Sequence, residues 1–331
     1  MKKIIITLLF GTCLLAGCGK YGEDDVIKDF SKKIDDSSAY YIEGSLELVN
    51  NDDIYHYDVE VAYKEENNYR VSLTNVSNSH TQIILKNSEG VFVVTPSLNK
   101  SFKFQSDWPY NNSQIYLLES LICDIKDDDK RMFKETKDGY TFMTEVNYPN
   151  NRNLVKQKIS LSKKLKLKKV EVYNSDSVIC MTMNYDVVDF SPKFKKNYFD
   201  LDTVMKTYVV EDTMSDSDVI LNSIYPLMLP SGTKLTSEEK INKDNGERII
   251  MTFEGDKPFL LVEETANVED EFTVVPTYGE PYMLMDTLGV MTNNSLNWTS
   301  NGIEYYLVSD VMNQEEMLDI AQSISVVDVM K

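Results

Sequence analysis

The stretch "SLNKSFKFQSDWPYNNSQIYLLESL" (97–121) contains the change of pattern on which the fold turns. Phe102 and Phe104 alternate with Lys103 and Gln105, the period-2 signature of a half-buried strand. Trp108-Pro109 breaks that run. Leu118, Leu121, Ile122 and Ile125 then recur at i, i+3, i+4 and i+7, the apolar stripe of an amphipathic helix. Pro109 and Asn111–Asn112 supply a start signal for it. A strand that leaves its sheet, turns and delivers a helix can lay that helix back on the sheet's apolar face.

The sequence on both sides supplies the sheet. In "YHYDVEVAY" (55–63), Tyr55, Tyr57, Val59, Val61 and Tyr63 share one face, with His56, Asp58 and Glu60 on the other. Further strands are predicted over 40–48, 69–74, 81–86, 91–95, 100–105, 140–146, 155–162, 165–173 and 178–188. The turn clusters "NNDD", "EENN", "NSEG", "KDG" and "NSDS" separate them. Short strands joined by tight turns predict an antiparallel meander with one buried face. A helix in "DDVIKDFSKKI" (24–34) opens it, through Val26, Ile27, Phe30 and Ile34. The expected fold class is therefore α+β, a curved antiparallel sheet with helices in its concavity.

"LDTVMKTYVVEDTMSDSDV" (201–219) is the hinge region, since the charge balance shifts there. Residues 18–206 carry 26 Lys+Arg and 30 Asp+Glu, whereas 207–331 carry 6 and 23. The second unit, 207–331, is expected to be a small, acidic, mixed α+β domain. "IIMTFEG" (249–255) and "PFLLVEETA" (258–266) form a hairpin around Asp256-Lys257, and Asn313 with Glu316 makes a capping box for a terminal helix.

Lys2 and Lys3 precede an apolar run, "IIITLLFGTCLLAG" (4–17), too short to span a bilayer. It ends in "LLAGC" (14–18), which resembles the lipobox of bacterial lipoproteins. That implies removal of residues 1–17 as a signal peptide, acylation at Cys18 (a palmitate-type anchor) and tethering of an exported chain to a membrane. The net charge of −19 excludes nucleic acid as a partner. It also implies that the tether is the lipid, because so acidic a body is repelled by an anionic membrane surface. Cys123 and Cys180 remain; they either pair or are buried as small apolar residues, the latter favoured.

The search for chemistry returns no cofactor and no metal site. His56 and His80 are the only histidines and lie away from ligand-spaced partners; no G-x-S-x-G and no phosphate-cradling glycine loop occurs. "DDD" (127–129) lacks the spacing of a calcium loop and reads as a solvated turn. No catalytic residue is nominated, and the chain reads as a non-enzyme. Two interaction surfaces are candidates. One is "KKLKLKK" (163–169), with Lys163, Lys164, Lys166, Lys168 and Lys169: either lysines that discourage edge-to-edge sheet pairing or a docking patch for an acidic partner or the acidic second domain. The other is the aromatic set Tyr55, Tyr57, Tyr63, Phe102, Phe104 and Trp108, either plain core or the lining of a cavity or partner site.

"VVTPSLNKSFKFQSDWPYNNSQIYLLESLICDI" (93–125), "YYIEGSLEL" (40–48), "SPKFKKNYFDLD" (191–202), "YPLMLPSGTKL" (225–235) and "GERIIMTFEGDKPFLLVEE" (246–264) together resemble the LolA-like sporulation and germination lipoproteins of endospore-forming bacteria, of the YdcC and GerS type. "EYYLVSDVMNQEEMLDIAQSI" (304–324) resembles a small domain found in extracytoplasmic parts of anti-sigma-factor and sporulation proteins. The resemblance implies a half-barrel. It further implies an accessory lipoprotein of the spore envelope that binds and activates or localises a cortex N-acetylmuramoyl-L-alanine amidase, or another envelope protein. The expected location is the outer face of the cytoplasmic membrane or the forespore intermembrane space. The alternatives are acyl-chain or lipoprotein binding in the half-barrel cavity, as in carriers of this fold, and an envelope regulatory sensor.

Overall fold

The computed structural model describes residues 21–331 apart from 51–52, 107, 110–112, 149–151, 209–222, 244–245, 285–286 and 325–331. Cys18, the apolar run before it and most of the hinge lie outside the described residues. The first sheet is built from β1 (Ala39–Asn50), β2 (Asp53–Lys64), β3 (Asn68–Asn75), β4 (Thr81–Asn87), β5 (Gly90–Thr95), β6 (Lys100–Phe104), β7 (Met132–Glu135), β8 (Gly139–Glu145), β9 (Leu154–Ser162), β10 (Leu167–Asn174) and β11 (Ile179–Asp189). The second comprises β12 (Thr233–Lys243), β13 (Gly246–Gly255), β14 (Phe259–Thr265), β16 (Glu280–Met283), β17 (Leu288–Met291), β18 (Ser295–Ser300) and β19 (Ile303–Val308). Between them in sequence, β15 (Thr273–Thr277) crosses to the first sheet and pairs in parallel with β6. The helices are α1 (Glu23–Asp35), α2 (Leu118–Asp127), α3 (Leu201–Tyr208) and α4 (Gln314–Gln322). None is long and apolar enough to cross a membrane.

The first sheet runs β15-β6-β5-β4-β3-β2-β1-β11-β10-β9-β8-β7. With strands about 4.8 Å apart, eleven laid flat would be roughly 50 Å wide. Yet one core cluster joins Phe104 of β6 and Val91 of β5 to Phe142 of β8 around only two helices, α1 and α2. Helices about 10 Å across can serve both ends only because the sheet curls around them. The curl has a local cause at its centre. The β1–β11 register shifts between Glu43 and Gly44, and such a bulge increases twist and bend. Gly44 is required there, since an added Cβ would lie 2.1 Å from the Asn184 carbonyl oxygen. Gly44→Ala is expected to cost about 2 kcal/mol by forcing β1 and β11 apart, read as a lower urea midpoint with an unchanged slope.

Alternation explains which face each strand buries. Tyr57, Val59 and Val61 of β2 join the helix-covered core, while His56, Asp58 and Glu60 are exposed. β5 is buried on both faces, which is why "VFVV" reads as a continuous apolar run. Val91 and Val93 face α2's side, whereas Phe92 and Val94 pack with Val204 and Met205 of α3 on the opposite face.

Two sequence expectations need correction. The helix after Trp108-Pro109 starts at Leu118, well past the proposed signal at Pro109 and Asn111–Asn112 (110–112 lying outside the described residues). Tertiary bonds hold residues 113–117 in a turn: the Ser113 amide donates to the Asn147 carbonyl at 2.8 Å, and the Gln114 amide to Ser120 Oγ at 2.7 Å. The cysteines are not both buried. Cys123 is exposed because it falls off the Leu118/Leu121/Ile122/Ile125 stripe, Cys180 is half-buried, and both are free thiols.

The second sheet carries α4 on its apolar face, packed on a core that includes Met251, Leu307, Met317 and Ile320. Both arms of the expected capping box are present: Asn313 Oδ1 accepts from the Glu316 amide at 3.0 Å, and Glu316 Oε2 from the Asn313 amide at 3.1 Å. The β13–β14 hairpin forms as the pattern predicts. Contacts join the two sheets closely. Leu288 and Val290 of β17 enter the first sheet's core, Lys100 pairs with Glu304 at 2.5 Å, and Gln82 Oε1 accepts from Thr287 Oγ1 at 2.9 Å.

Candidate interaction surfaces

The concave side of the first sheet is filled from the strands inward. Tyr40, Tyr63, Tyr69 and Trp108 form a chain of ring contacts, with centroids 4.9, 4.9 and 5.8 Å apart, the last pair edge-on at 81°. Each such pair adds about 0.5–1.5 kcal/mol beyond area burial. Tyr40 is fully buried, and its hydroxyl donates to Glu119 Oε2 on α2 at 2.6 Å, pinning the helix to the sheet. Among the aromatics singled out from sequence, Tyr57, Phe104 and Trp108 are buried in this core, and Tyr55, Tyr63 and Phe102 are half-buried against it.

Above α2 an open crevice of about 380 Å³ is lined by Glu119, Cys123, Asp124, Asp127, Asp128 and Glu145, among others. Asp124 accepts from Gln157 Nε2 at 2.6 Å and from Ser113 Oγ at 3.1 Å, and burial pushes its carboxyl up to about 6. Burial likewise raises Glu119 despite the Tyr40 bond. Partial desolvation of the otherwise exposed Cys123 thiol, then Asp127, raises it above its ordinary value. Asp128 organises a turn, its Oδ1 accepting from the Lys130 amide and its Oδ2 from the Glu145 amide, both at 2.8 Å. His56 is exposed beside Glu47 at 3.8 Å. Among the described residues no group of three His, Cys, Asp or Glu side chains is placed to hold a metal ion.

The "KKLKLKK" segment is the β9–β10 turn. Leu165, at φ 54°, and Leu167 point into the core, which throws Lys163, Lys164, Lys166 and Lys168 outward, with Lys169 half-buried. Lys163 pairs with Glu135 at 2.8 Å, and Lys169 with Glu171 at 2.8 Å. Lys164, Lys166 and Lys168 have no ion-pair partner among the described residues and line a shallow cleft of about 400 Å³.

One surface went unnoticed in the sequence. "YPLML" (225–229) runs over the second sheet with Tyr225, Leu227, Met228 and Leu229 exposed, Leu227 by 74%. Met228 and Leu229 line a cleft of about 450 Å³ with Asp256, Lys257, Glu316 and Ile320. The signal was available: four large side chains beside two prolines fit neither period, so no element buries them.

No protein-family model matches the chain. It is 35% identical over 332 residues to the sporulation protein YdcC of Bacillus subtilis, covering 98% of each chain. Solved structures share less. The chain overlaps a chain of the Pseudomonas aeruginosa MucA/MucB complex at 11% identity, covering 91% of this chain and 97% of that one, with a TM-score of 0.32. A chain of the Clostridioides difficile CwlD amidase in complex with the GerS lipoprotein aligns at 20% identity over 52% and 96%, TM-score 0.24. A LolA superfamily protein of Nitrosomonas europaea aligns at 12% over 54% and 98%, TM-score 0.30. Superpositions this loose carry no argument here.

Proposed function

The chain belongs to the family of the sporulation protein YdcC, and from that premise we propose that it is a membrane-tethered accessory protein of the spore envelope. It binds, and activates or localises, a cortex N-acetylmuramoyl-L-alanine amidase. In this reading residues 1–17 are removed, Cys18 is acylated, 18–206 is the half-barrel unit and 207–331 the acidic unit packed on it. The observation that carries the reading is the relationship to a sporulation protein along nearly the whole chain. Two features are consistent with protein binding in place of catalysis. Glu119 and Asp124 of the α2 crevice are hydrogen-bonded to Tyr40, Ser113 and Gln157, and His56, exposed beside Glu47, does not line that crevice. The exposed Tyr225–Leu229 segment offers apolar area of the kind that marks protein contacts.

The acyl-carrier reading is weaker, because the aromatics that would line its cavity are packed against α2 and one another. The test is co-purification of the chain from residue 18 onward with the amidases of sporulating cells, followed by amidase turnover on cortex peptidoglycan. A stable complex with raised turnover, weakened about tenfold by Leu227→Asp with Met228→Asp, is the expected result. No complex and unchanged turnover removes the amidase reading.

A further inference from the structure

The lysine hairpin sits beside the point where the chain leaves for its anchor. Tyr21, the first described residue, packs its ring 6.1 Å from that of Tyr140, and Lys163 Nζ lies 4.4 Å from the same Tyr140 ring. The Tyr21 hydroxyl donates to Asp29 of α1 at 2.9 Å, which fixes this end of the chain on the body. Further along α1, Lys33 Nζ donates to the Lys164 carbonyl at 3.4 Å, so the hairpin runs alongside the helix. From Tyr21 back to Cys18 there are three residue steps, at most about 11 Å when fully extended. An acyl chain on Cys18 therefore holds this corner of the molecule within about 11 Å of lipid headgroups, comparable to the Debye length of about 8–10 Å.

What that corner presents is positive. Lys164, Lys166 and Lys168 are exposed and free of ion pairs among the described residues, with Lys163 beside them. Asp138 and Asp186 also line the cleft, leaving an excess of cations. The whole-chain charge, which predicts repulsion from an anionic surface, is the wrong quantity at this distance, because 17 of the 19 net negative charges fall in 207–331. Leu165 and Leu167, locked into the core, hold the lysines as an outward row.

We propose that the β9–β10 hairpin is a membrane-contact surface: Lys164, Lys166 and Lys168 rest on the phosphates of anionic phospholipids and, together with acyl-Cys18, orient the half-barrel on the membrane. This rests on the anchored reading above. One acyl signal plus a basic patch is a stable combination, and the patch also sets which face looks outward.

The chain from 18 onward carrying Cys18→Ser keeps all the described residues and lacks the thiol that would be acylated. Its sedimentation with vesicles of 30% phosphatidylglycerol in phosphatidylcholine is compared with that on pure phosphatidylcholine, at low and high salt. The expected result is salt-sensitive binding to the anionic vesicles alone. In the triple variant Lys164→Gln, Lys166→Gln, Lys168→Gln, binding falls by at least about tenfold, each surface lysine being worth roughly fivefold. Equal binding to both vesicle types, or binding that the triple variant leaves intact, overturns the proposal. So does a variant that loses an acidic protein partner while neither form binds vesicles, which makes the patch a protein dock. The anchor is tested apart, by labelling the full chain with radioactive palmitate in a bacterial host, with and without Cys18→Ser. No label with vesicle binding intact overturns the anchor and leaves the hairpin contact supported.

Discussion

Trp108→Ala is expected to cost about 3–5 kcal/mol, the range for emptying a fully buried large aromatic site. Trp108 is 2% exposed, meets Tyr69 edge-on, and sits where the chain turns from β6 toward α2. Its carbonyl also accepts from Lys86 Nζ at 2.5 Å, a bond the substitution leaves in place, so the loss measures packing. The check is urea unfolding of the two proteins, with a lower midpoint and an unchanged slope. A second readout bears on function. If the concave side is a filled core, the variant should gain binding of a small apolar probe such as benzene that the parent lacks, because an apolar cavity in a rigid core stays dry and open to such a guest. If the parent already binds long-chain fatty acid and Trp108→Ala weakens that binding, the side chain lines a ligand cavity and the acyl-carrier reading returns.

Much of the architecture was legible because the first sheet obeys one rule. From Tyr55 to Val61 exposure alternates with burial on the helix side, and the pattern breaks only at Ala62, which α3 covers on the opposite face. α1, α2 and α4 carry apolar stripes that period 3.6 exposes directly. What escaped was set by contacts between residues far apart in sequence. β15 is "TVVPT", with half-exposed side chains and Pro276 in it, and it becomes a strand only because the edge of β6 is there to pair with. The start of α2 is fixed by Asn147 and Ser120, which no local signal near Pro109 announces. Of the aromatic set, Tyr63 and Trp108 meet in one ring chain through Tyr69. Core and cavity lining share an alphabet, however, and only the position of α2 decides how deeply each ring is covered. The lysine row was plain in sequence, but its nearness to Tyr21 depends on Tyr21, Tyr140 and Lys163 meeting from three separate segments.

Lowering the pH from 8 toward 5 should strengthen this protein, and Glu263 is a large contributor. Glu263, on β14, is wholly buried, and burial pushes its carboxyl up to about 7. One oxygen accepts from the Ile224 amide at 3.0 Å, while Oε1 finds no partner among the described residues. Glu238 nearby raises it further and Lys240 opposes that, but neither outweighs desolvation. The folded-state value therefore lies above the unfolded one of about 4.5. Between those values the folded state binds more protons, so the contribution is complete below about pH 4.5 and is lost as pH rises through 7. At 1.36 kcal/mol per pH unit the loss by pH 8 is about 3 kcal/mol. Glu263→Gln keeps an acceptor for the Ile224 amide and removes the charge. The variant should be more stable than the parent by about 2–3 kcal/mol at pH 8 and nearly equal to it at pH 5, measured by urea unfolding at both. Asp124, raised to about 6, adds a loss of the same sign in both proteins and cancels in the comparison. A variant that is equally displaced from the parent at both pH values would show that Glu263 is paired and ionised in the folded chain, and that the second sheet buries its charge without penalty.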